Sequence, residues 1–385
     1  MNRGGPSRRW LAPLLLLVGA ACSAPAGTGS SPQASALVAG VAADPWATLV
    51  ANAKKEGTVV LTGGNTSPEM AQALTEGFRA AYGIDAQFAT MDAGAFEARA
   101  DREFKAGAVS IDASFGVSNC FVLADRGEVE NMKGVLIEPD AIDPSAWKNG
   151  GPRLFSAGPD LPSDFVCGSE FGQQVQPQIY DNPSVIPDGT INTWNDLLNP
   201  AFKGKIAGQD PRIGGAGQGT AISINYVFGE DFFKQLYLGQ GVVLSREYRQ
   251  VADWVAHGDY PIGLGTSDDI VFDYREQGLP IQRIFPADGA DALTEGGAAI
   301  FLLKNAPHPN AAKLFVNWVH TQAVQELWEQ YNHTPSLRTD TTRAGVVPWV
   351  IPNPDTVYHL NDGDADFYYT HRAPIVDRIQ AILGR

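Results

Sequence analysis

Four short stretches combine glycine with small hydroxyl, amide or carboxylate side chains, and these are where chemistry would sit. They are Gly64, Asn65 and Thr66; Ser118 and Asn119; Gly215, Gln218, Gly219 and Thr220; and Thr266, Ser267 and Asp268. Glycine lets a backbone approach a ligand closely. Where such a stretch opens a helix, the unpaired N–H groups of the first turn favour phosphate, carboxylate or sulfonate. Asp268 or Asp269 could pair an ammonium group. The set points to a small organic anion or a zwitterion, bound without covalent chemistry. Arg212 and Arg246 are candidate counter-charges, and Tyr248, Trp254 and Tyr260 a candidate aromatic wall; surface pairing and core packing compete for these residues. Ordinary turn chemistry explains any one of the stretches taken alone.

Enzyme signatures are missing from the chain. Gly215-Ala216-Gly217-Gln218-Gly219 misplaces the third glycine of a dinucleotide fingerprint, and no Gly-Lys-Ser/Thr follows it. The histidines (His257, His308, His320, His333, His359 and His371) form no His-Glu-x-x-His and have no cysteine at zinc spacing. No Gly-x-Ser-x-Gly elbow is present. Asp362-Gly363-Asp364-Ala365-Asp366 lacks the glycine and distal glutamate of a calcium loop, so it reads as a solvated acidic turn. The expectation is binding rather than turnover, with no metal and no cofactor. A secreted hydrolase is the competing class, since paired carboxylates are plentiful and no spacing singles out any two.

The elements that would position these stretches alternate. Ala47–Glu56 is a short amphipathic helix stopped by Gly57, and Thr58–Thr62 a strand. Ser67 and Pro68 cap and open the next helix, which carries Phe78, Ala81 and Tyr82. Residues 84–90 and 109–117 read as strands, with a helix over 96–106 between them. Strand–helix–strand order implies a parallel sheet, with ligands at the carboxyl ends of its strands. A second set follows: a short helix at Trp194–Leu198, strands at 205–208 and 261–264, and helices after Gly215 and over Tyr248–His257. The last third offers a strand over 298–303, helices over 309–319 and 322–331, and a stripe of Ile375, Ile379 and Ile382 that should dock on the body.

The N-terminus reads as an export signal. Arg3, Arg8 and Arg9 precede an apolar run, Trp10 to Ala21, that ends in small residues before Cys22. The run is shorter than the roughly 20 residues of a membrane span. Cys22 is the expected lipidation site of a lipoprotein, and residues 23–44 are an Ala-, Gly-, Ser- and Pro-rich tether. The protein is thus expected outside the cytoplasm, lipid-anchored or periplasmic. A net charge of −15 argues against nucleic acid and against adhesion to anionic lipid. In an oxidising compartment Cys120 and Cys167 can form a disulfide, or remain two buried thiols.

Several segments together resemble a known family. They are Ala53-Lys54-Lys55-Glu56-Gly57 before a strand, Trp194 to Lys205, Asp210-Pro211-Arg212, Gly258 to Gly263, and Ala306 to Phe315. In this order they resemble extracellular solute-binding proteins of bacterial ABC importers, in the branch that includes ferric-iron and polyamine binders. The resemblance implies an α/β fold of the two-lobed periplasmic-binding-protein type (type 2), with two mixed sheets, flanking helices and a hinge. It implies lobes at about 45–139 with 283–335 and 140–282 with 336–385. It also implies a monomer that binds a small molecule and passes it to a permease and its ATPase. The branch's iron ligands, a tyrosine pair with histidine and glutamate, do not fall where the pattern would put them. Thr266-Ser267-Asp268-Asp269 stands at the tyrosine pair, and Asn65, Thr66, Ser118 and Asn119 occupy the other positions. Ferric-iron capture is the alternative that the resemblance keeps open.

Overall fold

A computed structural model describes residues 44–384 apart from 65, 92, 117–119, 157, 159, 290, 295–296, 354, 357, 359 and 362–364. The expected export signal, Cys22, nearly all of the tether, Asn65, Ser118 and Asn119 lie outside the described residues.

Local signals set the first helices. Asp44 caps Pro45–Glu56, and Gly57 ends it in the left-handed region at φ 73°. Ser67 accepts the Met70 N–H at 3.1 Å to open Pro68–Tyr82, whose Met70, Leu74 and Phe78 are buried at helical spacing. Between them Thr58–Gly63 runs parallel to Asp85–Ala89 on one side and to Ala113–Phe115 on the other. That last strand is shorter than its apolar run. The buried Asp112 carboxylate takes the Val60 N–H at 2.7 Å and the His308 N–H at 2.7 Å while its own N–H donates to the Val60 carbonyl at 2.8 Å, so a side chain completes the pairing there.

Ala299–Leu302 joins the first sheet antiparallel, and its outer edge pairs with Val166–Glu170, which pairs in turn with Arg153–Ser156. The six strands are thus ordered with Asp85–Ala89 at one edge and Arg153–Ser156 at the other. Residues 153–170, expected in the second lobe, therefore sit in the first. The physical reason is the open edge of Ala299–Leu302, whose backbone groups need partners once buried. A second, five-stranded sheet holds Gln282–Arg283, Ile179–Asp181, Ile262–Leu264, Ile206–Gln209 and Val243–Ser245 in spatial order. Its last three strands are parallel. Successive residues Ile179 and Tyr180 enter two different apolar clusters, so this sheet is covered on both faces.

The chain passes between the sheets through a third, small one. Gln174–Gln176 pairs antiparallel with Ala292–Thr294, which runs parallel to Leu360–Asn361. By sheet and core membership, one lobe takes about 44–171 with 298–337, and the other about 179–284 with 365–384. Cys120 and Cys167 are bonded, with Cα atoms 5.6 Å apart, and tie Cys120–Asp125 to the first sheet. No described helix is long and apolar enough to cross a membrane.

Candidate functional site

Parallel strands present their carboxyl ends to one cavity of about 520 Å³. Four loops that follow such strands line it: Gly64 with Thr66–Pro68 after Thr58–Gly63, Ile213–Ala216 after Ile206–Gln209, Arg246–Arg249 after Val243–Ser245, and Ser267–Ile270 after Ile262–Leu264. The first belongs to one lobe and the other three to the second. Gln174 and Gln176 of a crossing strand, and Gln178 just beyond it, face the same space. The cavity is therefore an interlobe cleft with the crossing segments in its wall.

Among the residues expected from sequence, Gly64, Thr66, Gly215, Gly219, Ser267 and Asp268 line the cleft. Thr66 is buried there, and its hydroxyl has no hydrogen-bond partner among the described residues. Thr220, Thr266 and Gln218 stand behind the wall. Thr220 Oγ1 accepts the Gln178 N–H at 3.0 Å and donates to Gln176 Oε1 at 3.3 Å, which fixes two of the three glutamines. Thr266 Oγ1 donates to the Tyr248 carbonyl at 2.8 Å. Gln218 accepts from Arg372 Nη2 at 3.3 Å.

The glycines have a tighter task than ligand approach alone. A Cβ at Gly215, which sits at φ 132°, would strike the Tyr248 hydroxyl, and one at Gly217 would strike the Gln209 carbonyl. Gln209 Oε1 accepts the Gly217 N–H at 2.6 Å, so the helix Ala216–Lys234 spends one of its free N–H groups inside the protein.

Asp268 is a hub. Its Oδ2 accepts from Arg283 Nη1 at 2.8 Å and from Gln178 Nε2 at 2.9 Å, and its Oδ1 accepts from Trp349 Nε1 at 2.9 Å. Arg283 also donates to the Val175 carbonyl at 2.6 Å. An ammonium partner for Asp268 would compete with a buried guanidinium already in place. Asp269 lies beside it, and burial pushes its carboxyl pKa up. The Tyr180 phenol is fully buried; burial first, then the Asp268 charge, holds it protonated far above the ordinary range.

With Asp268 matched by Arg283, the lining holds the cations Arg246, Arg249 and Arg372 beside two further acids, the exposed Glu247 and the half-buried Asp269. Arg212 is drawn away to Asp210 at 2.7 Å. Of the aromatic candidates only Tyr248 reaches the cleft, while Trp254 and Tyr260 pack edge to face at 5.3 Å. The glutamines were legible in principle: Gln174, Gln176 and Gln178 alternate at strand period with Val175 and Pro177 between them. Arg249 and Arg372 carry no local signal.

Residues 63–326 match the family model of bacterial extracellular solute-binding proteins. Solved structures share the fold. The periplasmic binding protein P5PA is 20% identical with a TM-score of 0.63, covering 85% of this chain and 100% of that one. AfuA from Actinobacillus pleuropneumoniae, with exogenous fructose-6-phosphate bound, is 19% identical with a TM-score of 0.63, covering 84% and 99%. Iron-bound HitA from Pseudomonas aeruginosa is 15% identical with a TM-score of 0.58, covering 84% and 99%. An uncharacterized Haemophilus influenzae protein is 30% identical over 159 residues, 39% of this chain; the match spans 43% of that relative's length.

Proposed function

The chain belongs to the bacterial extracellular solute-binding protein family, and from that premise we propose that it is the substrate-binding component of an ABC importer that captures a small organic anion or zwitterion between its lobes. It works outside the cytoplasm, tethered through Cys22, and delivers its ligand to a permease and ATPase. Closing the lobes around the ligand requires a ligand that binds the closed form better than the open one. Binding is the whole of its activity.

One observation carries the choice of ligand: with Asp268 matched by Arg283, the arginines Arg246, Arg249 and Arg372 outnumber the remaining lining acids, Glu247 and Asp269, among amides, hydroxyls and glycine backbone. Guanidinium groups pair oxyanions bidentately. Bare ferric iron asks for anionic oxygen ligands. The lining offers one phenol, Tyr248, the carboxylates Glu247, Asp269 and the Arg283-bound Asp268, and no imidazole, and no three of His, Cys, Asp and Glu gather at a metal-sized site among the described residues.

The test uses the full chain purified from membranes. Native mass spectrometry reads both a retained ligand and the acyl mass on Cys22. Thermal shift is then read with fructose 6-phosphate, citrate, inorganic phosphate, spermidine and ferric iron. An oxyanion probe at about a hundred times its Kd should add roughly 2.7 kcal/mol of stability. Stabilisation by spermidine or ferric iron alone, or conversion of any probe, overturns the reading.

A further inference from the structure

Gln209 is the last residue of a strand that lies between two parallel neighbours in the second sheet, and it lines the cleft at their carboxyl ends. Its side chain belongs to a residue only 2% exposed. An amide buried that deeply needs partners at both ends. One end has its partner: Oε1 accepts the Gly217 N–H at 2.6 Å. Nε2 has no hydrogen-bond partner among the described residues. The amide cannot be turned round, because a backbone N–H only donates and must meet the oxygen. Both N–H groups of Nε2 are therefore left for another acceptor.

The neighbouring glutamines differ. Gln178 Nε2 donates to Asp268, Gln178 Oε1 accepts Gln176 Nε2 at 3.2 Å, and Gln176 Oε1 accepts the Thr220 hydroxyl. Those two amides are engaged with the wall itself. Gln209 holds its donor end towards Gly215, where an added Cβ would stand 3.0 Å from Nε2 and nearer still to the Tyr248 hydroxyl. Gly215 and Tyr248 both line the cleft. Glycine at φ 132° thus keeps the approach to this nitrogen open. The Gly217 N–H belongs to the first turn of Ala216–Lys234, the end of a helix that carries partial positive charge. A hydrogen bond accepted at Oε1 polarises the amide and strengthens Nε2 as a donor.

We propose that Gln209 is a ligand-binding residue of the cleft, whose Nε2 donates to an unprotonated oxygen of a phosphate, carboxylate or sulfonate group. The assignment rests on the anion reading above and deepens it, because it gives the acidic group a neutral donor fixed by burial. A charged acceptor makes the stronger bond with such a donor, so the seat favours an oxyanion over the hydroxyl of a neutral solute.

Gln209→Glu tests it with almost no change of shape. One carboxylate oxygen keeps the Gly217 N–H, and negative charge at a helix N-terminus is favourable, so the variant should melt at or above the wild-type temperature. The other oxygen puts a charged acceptor where the donor stood. Isothermal titration of the full chain should show fructose 6-phosphate and citrate both bound roughly a hundredfold more weakly. Gln277→Glu, which adds the same charge at an exposed position outside the lining, should match wild type. A purely structural glutamine would move affinity only together with stability. A crystal structure of wild type with citrate reads the contact without any variant: an oxygen of the ligand should lie within hydrogen-bond distance of Nε2. Gln209→Glu that binds both probes as wild type does, or bound citrate with no oxygen at Nε2, overturns the assignment and leaves the anion reading standing. Wild type that binds neither oxyanion overturns both.

Discussion

Replacing Asp268 by Asn should cost this protein more stability than any other single change in the cleft wall. The side chains of Asp268 and Arg283 are 4% and 1% exposed and lie 2.8 Å apart. Asparagine keeps the shape but turns one oxygen into an N–H donor, facing Arg283 and Gln178, which are themselves donors. The guanidinium is then left buried without its counter-charge, which costs about 3–5 kcal/mol. Whole-protein stability is only about 5–15 kcal/mol. With an unfolding entropy of roughly 2.1 cal/mol/K per residue, a body of this size should lose roughly 4–7 °C of Tm. The same residues join three crossing segments: Arg283 holds the Val175 and Pro177 carbonyls, and Asp268 holds Trp349. Guanidinium chloride unfolding, followed by fluorescence and circular dichroism, gives the free-energy change. The double variant Asp268→Asn/Arg283→Met should be less damaged than the single, because no unpaired charge remains. A single-variant loss below about 1 kcal/mol, or no coupling between the two positions, refutes the reasoning.

Two buried titratable groups give opposite pH windows. His320 is fully buried, its Nδ1–H donating to the Val316 carbonyl at 2.6 Å and its Nε2 accepting from Ser169 at 2.6 Å, and burial lowers its pKa to about 4. A histidine depressed in the folded state binds its proton only on unfolding, so it removes up to about 3 kcal/mol as pH falls from about 6.5 to 4. Imidazole NMR resonances of His320 should stay those of the neutral ring at pH 5; a midpoint near 6.5 would contradict this. Asp181 is 2% exposed and burial raises its pKa to about 6. A carboxyl raised in the folded state holds its proton better folded than unfolded, so stability drops as pH climbs from about 4 to 6. Asp181→Asn should therefore gain up to about 3 kcal/mol at pH 7 and little at pH 4. Equal urea midpoints for wild type and variant at pH 7 would count against it.

How much of this was legible in the chain depended on whether the cause was local. Ser67, Pro68 and Gly83 mark a helix by caps that need no tertiary partner, and Tyr248–His257 carries Val251, Ala252, Val255 and Ala256 on one buried face. Strands of two or three residues such as Ala292–Thr294 and Gln282–Arg283 have no periodicity to read. Their pairing is decided by edges more than a hundred residues away, as Gln174–Gln176 opposite Ala292–Thr294 shows. The lobe boundary failed to show for the same reason: Val166–Glu170 pairs with Ala299–Leu302 across most of the second lobe's sequence.

The cleft divides along the same line. Gly64, Gly215 and Ser267 follow strands and precede helices, so turn chemistry alone pointed to them. They shape the wall, while Arg249 and Arg372, which also line it, have no such context. Arg372 is the limiting case. Its position depends on Tyr368 finding Phe121 and on Phe367 and His371 finding Tyr226, contacts that span more than 140 residues of sequence in each direction named. A loop supplied by one lobe can be read from a strand and its turn. A side chain carried on a helical run that packs against both cores reaches the cleft only once both have formed, which is why sequence pattern reaches such positions last.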